Sequence, residues 1–591
     1  MLIITILASL IPLGLCADYW TWTCSDNKCV KERLQPGDYA VSLEVCELSC
    51  FEYSRVWPMP NGHFEMQQQL TAISLDPSYT VNAKSKTQND LLMKMFDRFM
   101  NVLDKYTSSP KTSELHKNTT KTKIHFIIND FDTALLDFEV DESYTLNIEM
   151  INDIPAINIY SPTIFGARNA LETLSQLIVH DSVSDTLVAP TKVIISDGPK
   201  YPIRGLMIDT SRNYLSIDTI KKTLEGMAVN KLNTLHWHIT DSQSFPFVSV
   251  SLPELSGLGA YSPRKVYTHE DIQDLVQFAL VRGVRIIPEF DAPAHVGEGW
   301  QDSGLVVCFD KQPWGSYCKE PPCGQFDPTK EELYSTLKVL YRDLLAAFNP
   351  VAFHFGGDEV EFNCWRSEES IKNWMKQNGL STFWDSGYVE LWSMFQNKTY
   401  NNLMQEAARQ LPAIMWTSTL TDKQHLHNLP NDKYIIHVWT DKKDSTIANL
   451  LLNDYKIIIS NYDALYLDCG FHKWTGSSGN NWCSPYKTWQ LVYENSPAMI
   501  AQSFHVGRDK THLIMGSIAA LWTETVDDAS AENRIWPRTA ALAERVWAEP
   551  ITDSASAEYR LNSHRERMVK LGIQADTLVP EWCSANQDSC T

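Results

Sequence analysis

Val351-Ala-Phe-His-Phe-Gly-Gly-Asp-Glu-Val360 reads as a buried strand that ends on two glycines and delivers two adjacent carboxylates, Asp358 and Glu359, into a site. An isolated Asp-Glu pair is ordinarily solvated charge capping a strand. Here the apolar run before it and the glycines beside it point to chemistry instead. Two neighbouring acids repel, so at least one should hold its proton more tightly than usual, which suits proton delivery to a leaving group.

Outward from this stretch, the chain from Arg204 alternates short apolar runs with helical patterns. Eight runs read as parallel strands: 204–210, 232–240, 284–290, 351–357, 413–417, 434–439, 456–461 and 513–521. Between them, Thr268-His-Glu-Asp271 reads as a capping box, and 329–348 carries apolar residues at helical spacing. The fold class expected is α/β, a (β/α)8 barrel with insertions, and the opening stretch is its fourth strand. Such a barrel places active-site groups just after the C-terminal ends of its strands. Those positions hold Asp209 and Arg212, Asp241, Asp291 and His295, Asp358 and Glu359, Trp416, Trp439, Tyr466 and Asp468, then Trp522 and Glu524. Singly, each would pass as core packing or surface charge. At all eight ends they describe a pocket of acids and aromatics.

With 591 residues, 43% of them hydrophobic, the chain can bury more than one core. Residues 1–17 read as a secretory signal peptide, with an apolar run too short to span a bilayer comfortably. Residues 18–56 form a cysteine-rich extension too small for its own core, 57–199 an α+β domain without a catalytic constellation, and 200–591 the barrel with a disulfide-closed tail. Within 57–199, strands are expected at 124–129, 144–150, 156–160 and 191–197, and a helix at 165–179.

Of thirteen cysteines, Cys16 lies in the signal, leaving twelve for disulfides in an oxidising compartment. Cys469 with Cys483, Cys583 with Cys590 and Cys318 with Cys323 would close short loops, leaving Cys308 for Cys364. Cys24, Cys29, Cys46 and Cys50 superficially resemble zinc ligands, but their spacing and a secreted context favour bridges, with the pairing open. Sequons at Asn118 and Asn397 predict glycosylated surface. A formal net charge of −21 argues against nucleic acid or anionic membrane as partners.

At His354, Gly356, Gly357, Asp358 and Glu359 the chain resembles glycoside hydrolase family 20, the β-N-acetylhexosaminidases, whose signature H-x-G-G-D-E stands complete. The resemblance runs from about Trp57 to the C-terminus. The cysteine-rich start is similar to that of insect members that degrade chitin oligosaccharides. In a strand, consecutive carboxylates point to different sides, which fits poorly with an acid and a nucleophile facing one bond. Substrate-assisted hydrolysis resolves this, because the 2-acetamido oxygen of the sugar attacks its own anomeric carbon. Glu359 would then protonate the glycosidic oxygen and later activate water. Asp358 would accept the acetamido N–H, and Tyr466 would donate to the acetamido oxygen.

The resemblance further implies that His295 and Asp241 tune Glu359, that Trp416, Trp439 and Trp522 line the terminal-sugar pocket, and that Arg212, Asp468 and Glu524 hold hydroxyls. Trp482 would stack on the next sugar and Glu320 would bond it. Lys319 departs from the apolar residue of the insect relatives. No metal or cofactor is required, and family members often pair as homodimers. The activity expected is exo-cleavage of terminal β-linked N-acetylglucosamine from chitin oligosaccharides, by a protein that is secreted or in a lysosome-like compartment. Alternatives are a broader hexosaminidase acting on N-glycans or glycoconjugates, a silent glycan-binding protein, and a retaining glycosidase using a protein nucleophile, with Asp291 as candidate.

Overall fold

The computed structural model describes residues 19–82, 86–106, 121–130, 135–476, 478–586 and 590. Eight parallel strands close into a barrel: β1 (Ile203–Asp209), β2 (Thr234–Thr240), β3 (Arg285–Phe290), β4 (Phe353–His354), β5 (Ala413–Trp416), β6 (Tyr434–Val438), β7 (Lys456–Ile459) and β8 (Ile514–Leu521). β8 closes the ring on β1, with Ile203 opposite Gly516 and Ile208 opposite Leu521. Burial explains the uniformly apolar strands. One set of side chains, including Met207, Ile287, Ile414, Ile458 and Ile518, fills the barrel interior. The other packs outward against helices such as Ile217–Val229, His269–Val281, Glu331–Phe348 and Arg538–Ala548. The Thr268 capping box is formed, with the hydroxyl accepting from the Asp271 amide and the Asp271 carboxylate accepting from the Thr268 amide.

One expected strand is much shorter than its apolar run. β4 is regular only at Phe353 and His354; Phe355 still donates to Ile414 O and Gly356 O accepts from Trp416, and the chain then turns through Gly356 (φ +62°) and Gly357 (φ +78°) to Glu359 (φ +51°). A side chain at 356 would collide with Asp291, because a Cβ there would lie 1.9 Å from its Oδ1. The motif's glycines therefore turn the backbone sharply and let it pass close to β3.

Before the barrel, a six-stranded mixed sheet runs in the order Phe64–Met66, Val193–Asp197, Tyr144–Ile151, Ile154–Thr163, Lys121–Asp130, Ser74–Val81. Helix Ile164–Leu177, capped by Thr163, is buried on all sides. The sheet's core reaches Trp547 of the barrel's last helix and touches Val281. Ser74–Val81 and helix Lys86–Tyr106 are elements that the sequence reading omits. The strand contains Asp76 and Pro77 and pairs irregularly between Leu75 and Tyr79. The helix shows helical spacing in Leu92, Met95, Phe96, Phe99 and Leu103, all buried.

The extension is a hairpin (Trp20–Ser25, Lys28–Arg33) and helix Leu43–Cys50 around a small cluster of cysteines. Cys24–Cys50 and Cys29–Cys46 staple it, so the four N-terminal cysteines form bridges rather than a metal centre. Cys308–Cys364, Cys318–Cys323, Cys469–Cys483 and Cys583–Cys590 complete the set. Asn397 is exposed on helix Asp385–Glu406. Asn118 and residues 1–17 lie outside the described residues. Among the described residues, no helix is long and apolar enough to cross a membrane.

Candidate active site

The strand-end residues converge at the C-terminal face of the barrel. Glu359 Oε2 lies 3.5 Å from His295 Nε2, and Asp358 Oδ2 lies 4.0 Å from the same nitrogen. His295 Nδ1 in turn lies 3.1 Å from Asp241 Oδ1. One imidazole thus touches both acids of the motif, which corrects the expectation that they face different sides. Strand alternation does not apply, because both acids follow the strand on a turned backbone.

Asp241 is held from three directions. Arg212 NH2 lies 2.8 Å from its Oδ2, His238 Nε2 lies 2.9 Å from the same oxygen, and the Ser242 amide donates to Oδ1 at 2.5 Å. Burial works against its charge, but Arg212 and His295 outweigh it and hold the carboxyl well below the ordinary range. Burial likewise disfavours charge on His295, yet Asp241 and Asp291 raise it well above the ordinary imidazole value. A charged imidazole fixed on a permanent carboxylate therefore sits against Glu359.

Asp358 is raised by burial first, then by the charges of Glu359 and Glu289, with His295 opposing. Asp291 is pushed up more strongly by burial and by Asp358, and its Oδ1 accepts the Gly357 amide at 2.7 Å. Asp291 is thus turned onto the Gly357 backbone beside Asp358, which leaves it poorly placed as the nucleophile of a double-displacement mechanism.

Around these acids stand the aromatic walls. Trp416 is fully buried, and its ring lies 6.1 Å from that of Trp522, which is 6.2 Å from Tyr466. Trp439 donates its indole N–H to Thr417 O at 2.8 Å, which fixes the ring at the end of β6. The Cys469–Cys483 loop brings Trp482 over the opening, 6.3 Å from Trp439 and 6.2 Å from Tyr466, with 64% of its surface exposed. A large exposed indole tethered by a disulfide is a surface waiting for a flat apolar face.

Arg212 is the polar anchor. Its guanidinium lies 4.9 Å above the Trp522 ring and 3.2 Å from Glu320. Burial opposes its charge, but Asp241, Glu320, Asp209 and Glu524 together raise it well above its ordinary value. Glu524 and Asp468 both take up protons more readily on burial, Asp468 reaching about 7. Glu320 is raised by burial too.

The cleft above encloses about 440 Å³ between Lys319, Glu320, Glu359, Trp439, Trp482 and Glu524. Lys319 points its ammonium to Glu361 at 3.3 Å. His472, Lys473 and Trp474 also line it and escaped the sequence reading, because nothing in a loop's composition says which way it folds over. His238 and Glu289 escaped it as well, being polar residues inside apolar strands.

Among the described residues three clusters without cysteine, His236/His354/His437, Asp291/His295/Asp358 and His238/Asp241/Asp291, bring possible metal-ligating atoms within 4.8 Å of one another. In the first, the His236 and His354 rings stack at 4.3 Å and His354 Nε2 already meets His437 Nδ1 at 3.2 Å. In the second, His295 Nδ1 already meets Asp241 Oδ1 at 3.1 Å, and in the third His238 Nε2 meets Asp241 Oδ2 at 2.9 Å.

The family model for the glycosyl hydrolase family 20 catalytic domain matches residues 201–550, and a model described as beta-acetyl hexosaminidase like matches residues 56–177. A chitooligosaccharidolytic beta-N-acetylglucosaminidase of Ostrinia furnacalis is 47% identical over 580 residues, covering 97% of this chain and 95% of that protein. One of the same name from Bombyx mori is 47% identical over 578 residues, with the same coverage. Among solved structures, the Flavobacterium johnsoniae chitobiase superposes with a TM-score of 0.68 at 25% identity, over 88% of this chain and 73% of that one. A Vibrio harveyi exo beta-N-acetylglucosaminidase shares the fold, with a TM-score of 0.70 at 21% identity over 94% and 84%.

Proposed function

The chain belongs to glycoside hydrolase family 20, and from that membership we propose that this glycoside hydrolase releases terminal β-linked N-acetylglucosamine from chitin oligosaccharides, with retention of configuration and with the substrate's acetamido oxygen as nucleophile. The observation that carries this reading is the line Glu359–His295–Asp241, with Asp358 against the same imidazole.

Glu359 protonates the leaving oxygen and then takes a proton from water. His295, held charged by Asp241, favours the carboxylate that Glu359 becomes once its proton has gone. Asp358 accepts the acetamido N–H and offsets the positive charge of the cyclic intermediate, while Tyr466 donates to the acetamido oxygen. Trp416, Trp439 and Trp522 enclose the sugar, and Arg212, Asp468 and Glu524 hold its hydroxyls. Trp482 stacks on the following sugar, with Glu320 at its rim.

Six disulfides support an oxidising setting, extracellular or lysosome-like. We infer removal of residues 1–17, glycans at Asn118 and Asn397, and a homodimer. The polar Lys319 at the cleft's mouth favours a second reading, a broader hexosaminidase that accepts N-glycan ends.

Release of N-acetylglucosamine from chitobiose and longer oligomers, beside a branched N-glycan, tests the proposal in wild type, Glu359→Gln and Asp358→Asn. Rapid cleavage of the linear oligomers is expected, with kcat reduced by at least about 100-fold in both variants. Preference for the branched glycan would select the second reading. Near-normal turnover by Asp358→Asn would reject the acetamido mechanism.

A further inference from the structure

Glu289 lies on β3, fully buried one layer below the acids that face the cleft. A carboxylate inside a barrel is costly unless every side of it is answered. Here Trp416 Nε1–H donates to its Oε1 at 2.7 Å. From β2, His238 Nδ1 lies 2.9 Å and His236 Nε2 2.7 Å from its Oε2, close charge contacts rather than aligned hydrogen bonds. From β4, His354 Nδ1 lies 3.3 Å from Oε1, but that nitrogen accepts the Gly356 amide at 3.0 Å and so carries no proton toward Glu289. Behind His354 stands His437 on β6, whose Nε2 meets Ser460 Oγ at 2.6 Å. Asp291 and Asp358 are the acids within reach of its charge, since Glu289 pushes both of them up.

Charges therefore alternate along one line: Glu359, His295, Asp241, His238, Glu289. His238 is the link, with Asp241 Oδ2 at 2.9 Å on one nitrogen and Glu289 at 2.9 Å on the other. Burial alone would discharge it, but Glu289 and Asp241 raise it well above the ordinary imidazole value. His236 has no second acid, and burial pushes it down to about 4.

We propose that Glu289 is a positioning residue for the hydrolysis: it holds the Trp416 indole that walls the terminal-sugar pocket, and by anchoring His238 behind Asp241 it helps set the electrostatic field around Asp358. This rests on the function proposed above. The two effects separate by substitution. Glu289→Gln keeps an oxygen for the indole and removes the charge, whereas Glu289→Asp keeps the charge and withdraws from the indole by one methylene.

The test is kcat and KM against pH on chitobiose for wild type and both variants, with folding followed by thermal unfolding. Losing one buried negative charge lets Asp358 ionise at lower pH. The acid limb of the bell for Glu289→Gln should therefore move to lower pH by about half a unit, with KM within about twofold of wild type. Glu289→Asp should restore the position of the bell and raise KM. A bell that stays in place while kcat falls, or a KM rise in Glu289→Gln alone, would overturn the proposal.

Should Glu289→Gln fail to fold, neutron diffraction of the wild type at neutral pH decides the same point without activity. Deuterium on both His238 nitrogens and none on Glu289 is expected, and a singly protonated His238 overturns the proposal. A wild type that releases no sugar would reject the functional reading, while the deuterium positions would still report on the charge line.

Discussion

Asp468 shows how burial rather than residue type decides what a side chain does. Its carboxyl is pushed from the ordinary 3.8 up to about 7 by burial, with Glu320 adding to the rise and Arg538 opposing it. At mildly acidic pH it is a neutral acid that can donate to one sugar hydroxyl and accept from another. The stability consequence has a definite sign. Between about pH 4 and 7 the unfolded chain has released this proton while the folded protein keeps it, so this group's contribution falls as pH rises and levels off above 7. Asp468→Asn lacks the effect. Denaturant unfolding across that range should show the variant gaining on the wild type up to about pH 7 and running parallel above it; parallel curves throughout would mean that Asp468 is ionised in the native protein.

Among elements, β4 and the Cys469–Cys483 loop do the positioning. The apolar run of β4 promises a long strand, but the positive-φ glycines 356 and 357 turn the backbone close past Asp291 and send Asp358 and Glu359 past one imidazole. The loop presents Trp482 at 64% exposure beside Tyr462, with ring centres 5.0 Å apart. Trp482→Ala should raise KM for chitotriose by about tenfold while changing that for the methyl β-glycoside of N-acetylglucosamine by no more than about twofold, because only the longer substrate reaches the indole. An equal rise for both would assign Trp482 to the terminal-sugar pocket.

Across the whole molecule, a buried charged seam fastens the mixed sheet and its helices to the barrel. Glu172 on helix Ile164–Leu177 meets Arg98 at 3.1 Å, Arg168 at 3.5 Å and Arg567 at 2.5 Å. Nearby, Lys231 pairs with Asp197 at 3.2 Å and Arg204 with Glu142 at 2.7 Å. Glu172→Gln would leave three guanidiniums short of their shared counter-charge. Chemical denaturation should register a loss of about 3–5 kcal/mol, with kcat per folded molecule unchanged because the seam lies behind the barrel's catalytic face. A loss below about 1 kcal/mol would mean that water or other partners already screen the seam.

The barrel was legible in the chain itself, because parallel strands covered on both faces must be continuously apolar and because eight such runs each end on a polar or aromatic residue. The motif at 354–359 was equally legible, since its glycines and acids are local. What needed the tertiary structure was everything set by distance across strands. Residue order cannot say that His295 spans Asp241 and both acids, that Asp291 accepts the Gly357 amide, or that Glu289 stands beneath Trp416. Those relations depend on strand register and on where a backbone with positive φ turns. They also depend on burial, which decides which of a dozen similar carboxyls and imidazoles keep their protons.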